Sequence, residues 1–148
     1  TYYPSSLDNE LQYERLMEKE YRVVVRKGHP MEGATSLKQL QHCDWTMPTP
    51  KGSYYRLLHD LFGDLGMAPS ISVTCETFMA CTSLVAQSDF VSILSVDVIS
   101  DPILGKHLVS LELEESLPKA TFYLIQRKDT TLTPMGAHLA RLFRLYCR

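Results

Sequence analysis

Residues 45–90 read WTMPTPKGSYYRLLHDLFGDLGMAPSISVTCETFMACTSLVAQSDF. Trp45-Thr46-Met47 predicts a strand, stopped by Pro48 and Pro50. From Ser53 to Leu65 the residues Tyr54, Leu57, Leu58, Leu61, Phe62 and Leu65 recur at intervals of three and four, the spacing of one face of a helix. Gly66 supplies a stop for that helix, and Pro69 follows it. Ser70 to Cys75 alternates around Ile71 and Val73 as a second strand. Thr77 caps a second helix reaching Gln87, with Phe78, Cys81, Leu84 and Val85 turned inward. Phe90 to Leu94 is a buried strand. Two polar turns, Pro48-Thr49-Pro50-Lys51-Gly52-Ser53 and Thr74-Cys75-Glu76-Thr77, thus place small hydroxyl residues where a strand ends and a helix begins. Ligands of open α/β sheets collect at the carboxyl ends of the strands. The first N–H groups of a helix lack intrahelical partners and favour anions. The expectation is a small carboxylate-bearing ligand at these turns.

Outward from this stretch, Tyr21 to Arg26 is a β-branched strand ended by Gly28, Pro30 and Gly33. Ser36 and Gln39 stand at capping-box spacing ahead of a short helix whose inner face is Leu37 and Leu40. Leu11 to Lys19 fits an extended piece best and also reads as helix. Val96 to Ile99 predicts a helical turn, and Leu108 to Leu113 and Ala120 to Arg127 predict strands. Glu114, Glu115 and Ser116 read as a solvated acidic loop. Thr133-Pro134 is a strong helix start, and Met135, Leu139, Leu142, Phe143 and Tyr146 give the last helix its apolar face. Arg141, Arg144 and Arg148 complement the dipole at its end. Alternation of strands and helices from Tyr21 to Leu94 predicts an α/β fold with a mostly parallel sheet.

Of the 148 residues, 45% are hydrophobic and 22% charged, enough to build a core, and the net charge is -2. That balance, without a block of Lys and Arg, argues against direct nucleic-acid binding by this stretch. No apolar run approaches a spanning helix, so no membrane partner is expected. The cysteines at 43, 75, 81 and 147 form no Cys-x-x-Cys and no zinc-finger spacing. Cys75 and Cys81 are expected as buried thiols in apolar surroundings, in a reducing cytoplasm, in preference to a disulfide or a metal site. The histidines at 29, 42, 59, 107 and 138 pair locally with no Ser or Cys, and no phosphate loop, nucleophile elbow or metalloprotease motif is present. Neither an enzyme, a catalytic residue, a metal nor a cofactor is expected.

The run Tyr21-Arg22-Val23-Val24-Val25-Arg26-Lys27-Gly28-His29-Pro30 resembles the crossover strand of LysR-type transcriptional regulators. Ser83-Leu84-Val85-Ala86 followed by Phe90-Val91-Ser92-Ile93-Leu94 resembles a helix–strand pair of the same family. The resemblance covers the whole chain in the family's order. Thr1-Tyr2-Tyr3, Trp45-Thr46-Met47-Pro48-Thr49-Pro50, Gly52-Ser53-Tyr54-Tyr55, Cys75-Glu76-Thr77-Phe78 and Tyr123-Leu124-Ile125-Gln126-Arg127 are most similar to members that regulate p-aminobenzoyl-glutamate utilisation. Ser88-Asp89 and Ser95 depart from the glycine-rich turn and the proline common in the family.

The resemblance implies a type II periplasmic-binding-protein-like effector domain, with one complete lobe and part of the second. Residues 21–119 would be lobe II, and 1–20 and 120–148 parts of lobe I. The implied effector sits in the inter-lobe cleft and is p-aminobenzoyl-glutamate or an aromatic acid. DNA would be bound through an N-terminal helix-turn-helix that this chain does not contain, and the family implies a cytoplasmic homo-oligomer. The alternative reading is a free-standing type II solute-binding protein. Thr49, Ser53, Thr77, Phe78, Thr1 and Tyr2 are the implied ligand-binding residues. Ser53 and Thr77 serve equally as plain helix caps, and Phe78 equally as core. Arg26 and Arg127 either pair with acid groups or are solvated, and the role of Glu76 stays open.

Overall fold

The computed structural model describes residues 10–48 and 53–147. The chain divides into two compact units, a larger one from Glu20 to Pro118 and a smaller one built from Thr1–Lys19 and Lys119–Arg148.

The larger unit is organised on β2 (Tyr21–Arg26). Its Val23, Val24 and Val25 are buried, as expected for a β-branched run that packs on both faces of a sheet. β2 pairs antiparallel on one side with β5 (Ser92–Ser95) and on the other with β6 (Leu108–Ser110). Next to β5, a parallel bridge from Val91 reaches Trp45 of β3 (Asp44–Pro48). β3 in turn pairs parallel with β4 (Ser70–Cys75). The strands therefore run β4-β3-β5-β2-β6, parallel on one side and antiparallel about β2 on the other. This corrects the expectation of a mostly parallel sheet. Helical crossovers enforce parallel pairing only from β3 to β5, and β2 enters without one. β6 also ends at Ser110, short of Leu113. Leu111 N–H still donates to Val23 O, but Glu114 N–H turns away to Thr35 O.

Successive residues of a strand point to opposite faces. Trp45 meets Phe62 of α1 (Ser53–Asp64) edge to face, with ring centroids 5.6 Å apart. Thr46 meets Cys81 of α2 (Phe78–Gln87). The two helices thus cover opposite faces of the sheet. On the α2 face Val85 packs with Val24, Leu94 and Leu108, joined by Phe78, Ala86, Val98 and Ile99. At the end of α1, Gly66 has φ +71°. Met67 N–H donates to Phe62 O and Gly66 N–H to Gly63 O, the double bond of a Schellman stop.

Ser36 caps the 3₁₀ turn Leu37–Leu40 with the predicted capping box completed by Gln39, and Leu37 and Leu40 are buried. Glu115 adds to it. One carboxylate oxygen accepts from Ser36 Oγ at 2.8 Å and the other from Leu37 N–H at 3.0 Å. The acidic loop is therefore not merely solvated. Partial burial pushes the Glu115 carboxyl up, but the bonds from Leu37 and Ser36, helped by the charge of Lys38, outweigh it and hold the group below the ordinary carboxylate range. Farther on, α3 (Val96–Ser100) is followed by a tight return in which Gly105 N–H donates to Asp101 O. A Cβ on Gly105 would stand 1.8 Å from the Ile99 carbonyl oxygen.

The smaller unit is an antiparallel ribbon of β1 (Leu11–Lys19) and β7 (Ala120–Arg127), with an irregularity between Arg15 and Met17. Its helix is α4 (Pro134–Tyr146), capped by Thr133 with Pro134 in the first turn. Arg144 grips Glu14 with a two-pronged bond of 2.8–3.0 Å. The expected apolar face of α4 is not buried. Met135 is 76% and Tyr146 78% exposed, Leu139 and Phe143 are also exposed, and Ala140 is the buried residue of the helix. Leu142, also of that face, is half-buried.

Two measurements check this architecture. Gly105→Ala forces the Ile99 carbonyl aside and should cost about 1–3 kcal/mol in urea unfolding, followed through the fluorescence of the single, buried Trp45. Glu115→Gln should cost about 1 kcal/mol at neutral pH. A lowered folded pKa contributes stability above the unfolded value of about 4.3 and loses it as pH falls through the folded value, so parent and variant should converge in that window.

Candidate functional site

β3 and β4 are parallel, and Pro48 at the end of one is in register with Cys75 at the end of the other. Both strands therefore deliver the chain at the same edge. From β4 the chain passes through Glu76 and Thr77 into α2. From β3 it leaves at Pro48, and Ser53 opens α1. Both helix starts read from the sequence thus follow parallel strands whose carboxyl ends share one edge, where partnerless N–H groups collect.

Thr77 is the N-cap of α2. Its extended backbone (φ -125°, ψ 150°) and its Oγ1, which accepts from Ala80 N–H at 3.1 Å, secure the first turn. The side chain is exposed and keeps its O–H available for a second bond. Phe78, the next residue, is half-buried against the Val24–Val85–Leu94–Leu108 cluster, which fixes its ring while leaving part of it accessible. Capping and core packing hold for these two residues and do not use them up. Glu76, in the same turn, is exposed and adds a negative charge there. Thr1, Tyr2 and Thr49 lie outside the described residues, as does the side chain of Ser53. Arg127 is exposed, in the ribbon of the smaller unit.

Arg26 proves to be paired within the chain. Its guanidinium reaches Asp89 at 2.6 and 2.9 Å. Beside it His29 is buried, with Nδ1 accepting from Met31 N–H at 2.9 Å and Nε2 3.0 Å from Asp89 O. Because Nδ1 accepts, Nε2 carries the proton and donates. Asp89 stands where the resembling family has a glycine-rich turn, and here it ties the end of β2 to the approach to β5. Ser88 closes α2 by donating to Leu84 O at 2.6 Å.

Beneath this edge the sequence reading missed a layer of buried hydroxyls. Thr46, Thr82 and Ser92 are all buried. Ser92 Oγ donates to Thr46 O at 2.8 Å, and Thr82 Oγ1 donates to Phe78 O at 2.9 Å. Cys81 touches Ser92 Oγ at 3.3 Å and Thr46 Oγ1 at 3.8 Å, so its surroundings are hydroxylic and not apolar as expected. The signal was present as single Ser and Thr residues inside apolar runs. Their small size lets them sit in a core where each hydroxyl has a partner, a carbonyl for Ser92 and Thr82 and the cysteine sulfurs for Thr46. No three His, Cys, Asp or Glu converge on a metal position among the described residues. No helix among them is long and apolar enough to cross a membrane.

The sequence matches the model of the LysR substrate binding domain over residues 1–148. It is 25% identical over 137 residues to the HTH-type transcriptional regulator TdcA of Escherichia coli K12, covering 93% of this chain and 44% of that protein. The chain thus spans under half the length of this relative. Among solved structures, the effector binding domain of QuiR in complex with shikimate superposes with a TM-score of 0.74 at 20% identity, covering 97% of this chain and 69% of that one. The regulatory domain of CcmR from Synechocystis, in complex with 2-PG, gives 0.77 at 18% identity, with 97% and 70% covered. Full-length CbnR complexed with its target DNA gives 0.68 at 17% identity, with 95% and 50% covered. The likeness shows a mixed α/β fold of the type II periplasmic-binding-protein kind.

Thr77→Ala removes the cap of α2 and should lower stability by about 1 kcal/mol, whereas Thr77→Ser should retain most of it. Urea titrations read by Trp45 fluorescence distinguish the two.

Proposed function

The chain belongs to the family of LysR substrate-binding domains, and from that premise we propose that it is the effector-sensing part of a LysR-type transcriptional regulator. In this reading Glu20–Pro118 is lobe II of the effector domain and the smaller unit is part of lobe I. A small carboxylate-bearing molecule binds at the carboxyl edge of β3 and β4. The observation that carries this is the in-register pairing of Pro48 with Cys75, which ends β3 and β4 at one edge, each followed by a helix. A carboxylate there meets partnerless N–H groups and the favourable ends of two helix dipoles. Thr77 offers its hydroxyl proton, and the accessible part of Phe78 packs on an apolar or aromatic ligand body. Ser53 and Thr49 complete the polar wall from the other turn, with Thr1 and Tyr2 contributing from the N-terminal stretch.

Two structural neighbours were solved with small molecules, shikimate and 2-PG, which supports the class of function. The runs Cys75-Glu76-Thr77-Phe78 and Gly52-Ser53-Tyr54-Tyr55 favour p-aminobenzoyl-glutamate or a plain aromatic acid as the ligand. Binding acts by population shift. A ligand that prefers one arrangement of the domain biases a homo-oligomer toward one geometry on DNA. The DNA is held by a helix-turn-helix outside these residues, in the cytoplasm, and the domain carries no catalysis.

Calorimetric titration of the full-length regulator with p-aminobenzoyl-glutamate and with simple aromatic acids tests this. One of them should release or absorb heat, and Thr77→Val should weaken that binding about two- to tenfold, the worth of one hydrogen bond. Absence of heat with every compound, in protein shown to be folded, overturns the ligand assignment.

A further inference from the structure

Two of the four cysteines share a contact that the ligand reading does not use. Cys75 ends β4 half-buried, and Cys81 lies one turn into α2, fully buried. Thr46 Oγ1 stands 3.5 Å from Cys75 Sγ and 3.8 Å from Cys81 Sγ. One hydroxyl oxygen is thus flanked by both sulfurs. Ser92 closes the other side, 3.3 Å from Cys81 Sγ. Burial pushes the Cys81 thiol up; bonds from Ser92 and Thr46 oppose that, and the nearby Cys75 adds to it. Cys81 is therefore shielded from small reagents, while nearby Cys75 is partly open to solvent. That arrangement assigns an order: an exposed thiol that is attacked first and a buried one that resolves it.

We propose that Cys75 and Cys81 form a dithiol site that closes to an intramolecular disulfide when the protein meets a peroxide or a small-molecule disulfide. With a peroxide, the Cys75 thiolate attacks one oxygen and the O–O bond breaks. Cys75 becomes a sulfenic acid and water leaves. The Cys81 sulfur then attacks the Cys75 sulfur, its proton goes to the departing oxygen, and a second water leaves as the S–S bond forms. The peroxide gains two electrons and the two thiols lose them. With a small disulfide, the first step gives a mixed disulfide at Cys75, and attack by Cys81 releases the second small thiol. In either case the contacts of Thr46 Oγ1 with the two sulfurs must loosen as they join. The bond closes across the turn that carries Glu76 and Thr77. The site is independent of which ligand the domain binds.

The test is to treat the folded full chain with hydrogen peroxide or oxidised glutathione, block remaining thiols, and cleave after Met79. That cut separates the two cysteines, so peptides carrying Cys75 and Cys81 stay joined only through a disulfide. The expected result is a joined pair lighter by two hydrogens, separated by dithiothreitol, with Cys43 and Cys147 still free. In Cys81→Ser, Cys75 should stop at a sulfenic acid trapped by dimedone, or at a persistent glutathione adduct. A wild-type protein whose Cys75 keeps its adduct while Cys81 remains alkylatable after unfolding overturns the proposal. So does preferential linkage through Cys43 or Cys147. The wild-type map decides even if Cys81→Ser fails to fold.

Discussion

The structure of the larger unit depends on the burial of one strand. β2 has a hydrogen-bonded neighbour on each side and Val23, Val24 and Val25 packed on its two faces. Three β-branched side chains in a row suit such a place and no exposed one. Because β2 is antiparallel to both neighbours, it turns the parallel series β4-β3-β5 into a mixed sheet. Its far end is then fixed by Asp89, which holds Arg26 through its carboxylate and His29 through its carbonyl. Of the two partners it is His29 that is buried, so losing its bond to the Asp89 carbonyl would cost more than that bond itself contributes, whereas the Arg26–Asp89 pair lies at the surface.

From that strand the edge where β3 and β4 end follows by geometry. β5 is set by β2, β3 is bridged to β5 through Trp45 and Val91, and β4 pairs with β3. Side-chain alternation at Trp45 and Thr46 assigns α1 to one face and α2 to the other. The starts of both helices are consequences of where β3 and β4 stop. Pro48 and the Glu76-Thr77 turn do that stopping, since proline lacks the N–H to extend a ladder and threonine prefers to cap.

Local rules made much of this legible in advance. The cap at Thr77, the capping box at Ser36, the stop at Gly66 and the Thr133-Pro134 start were readable because each is settled within four or five residues. The antiparallel placement of β2 was not, because strand direction depends on partners some seventy to ninety residues away, which no periodicity encodes. Glu115 looked like surface for the same reason: its partners, Ser36 and Leu37, are distant in sequence. The hydroxyl layer around Cys81 was hidden because Thr and Ser in apolar runs look alike whether they face a carbonyl or a void. The apolar stripe of α4 was recognised as a stripe, but periodicity tells which side of a helix is apolar and says nothing of what covers it. At the site, sequence placed Thr77 and Phe78 at a helix start. That the other helix follows a strand ending at the same edge came only from the register of Pro48 with Cys75.

The ribbon of β1 and β7 has a kinetic meaning. Lys19 pairs with Ala120 and Leu11 with Arg127, and Arg144 reaches back to Glu14. Every rung joins residues about a hundred positions apart, so the ribbon cannot zip until the intervening chain has become compact. Loop closure grows only logarithmically in cost, about 0.6 kcal/mol per doubling of length, but non-local pairing slows folding steeply. With rungs of that separation, the ribbon is expected to be the slow-forming part of the smaller unit.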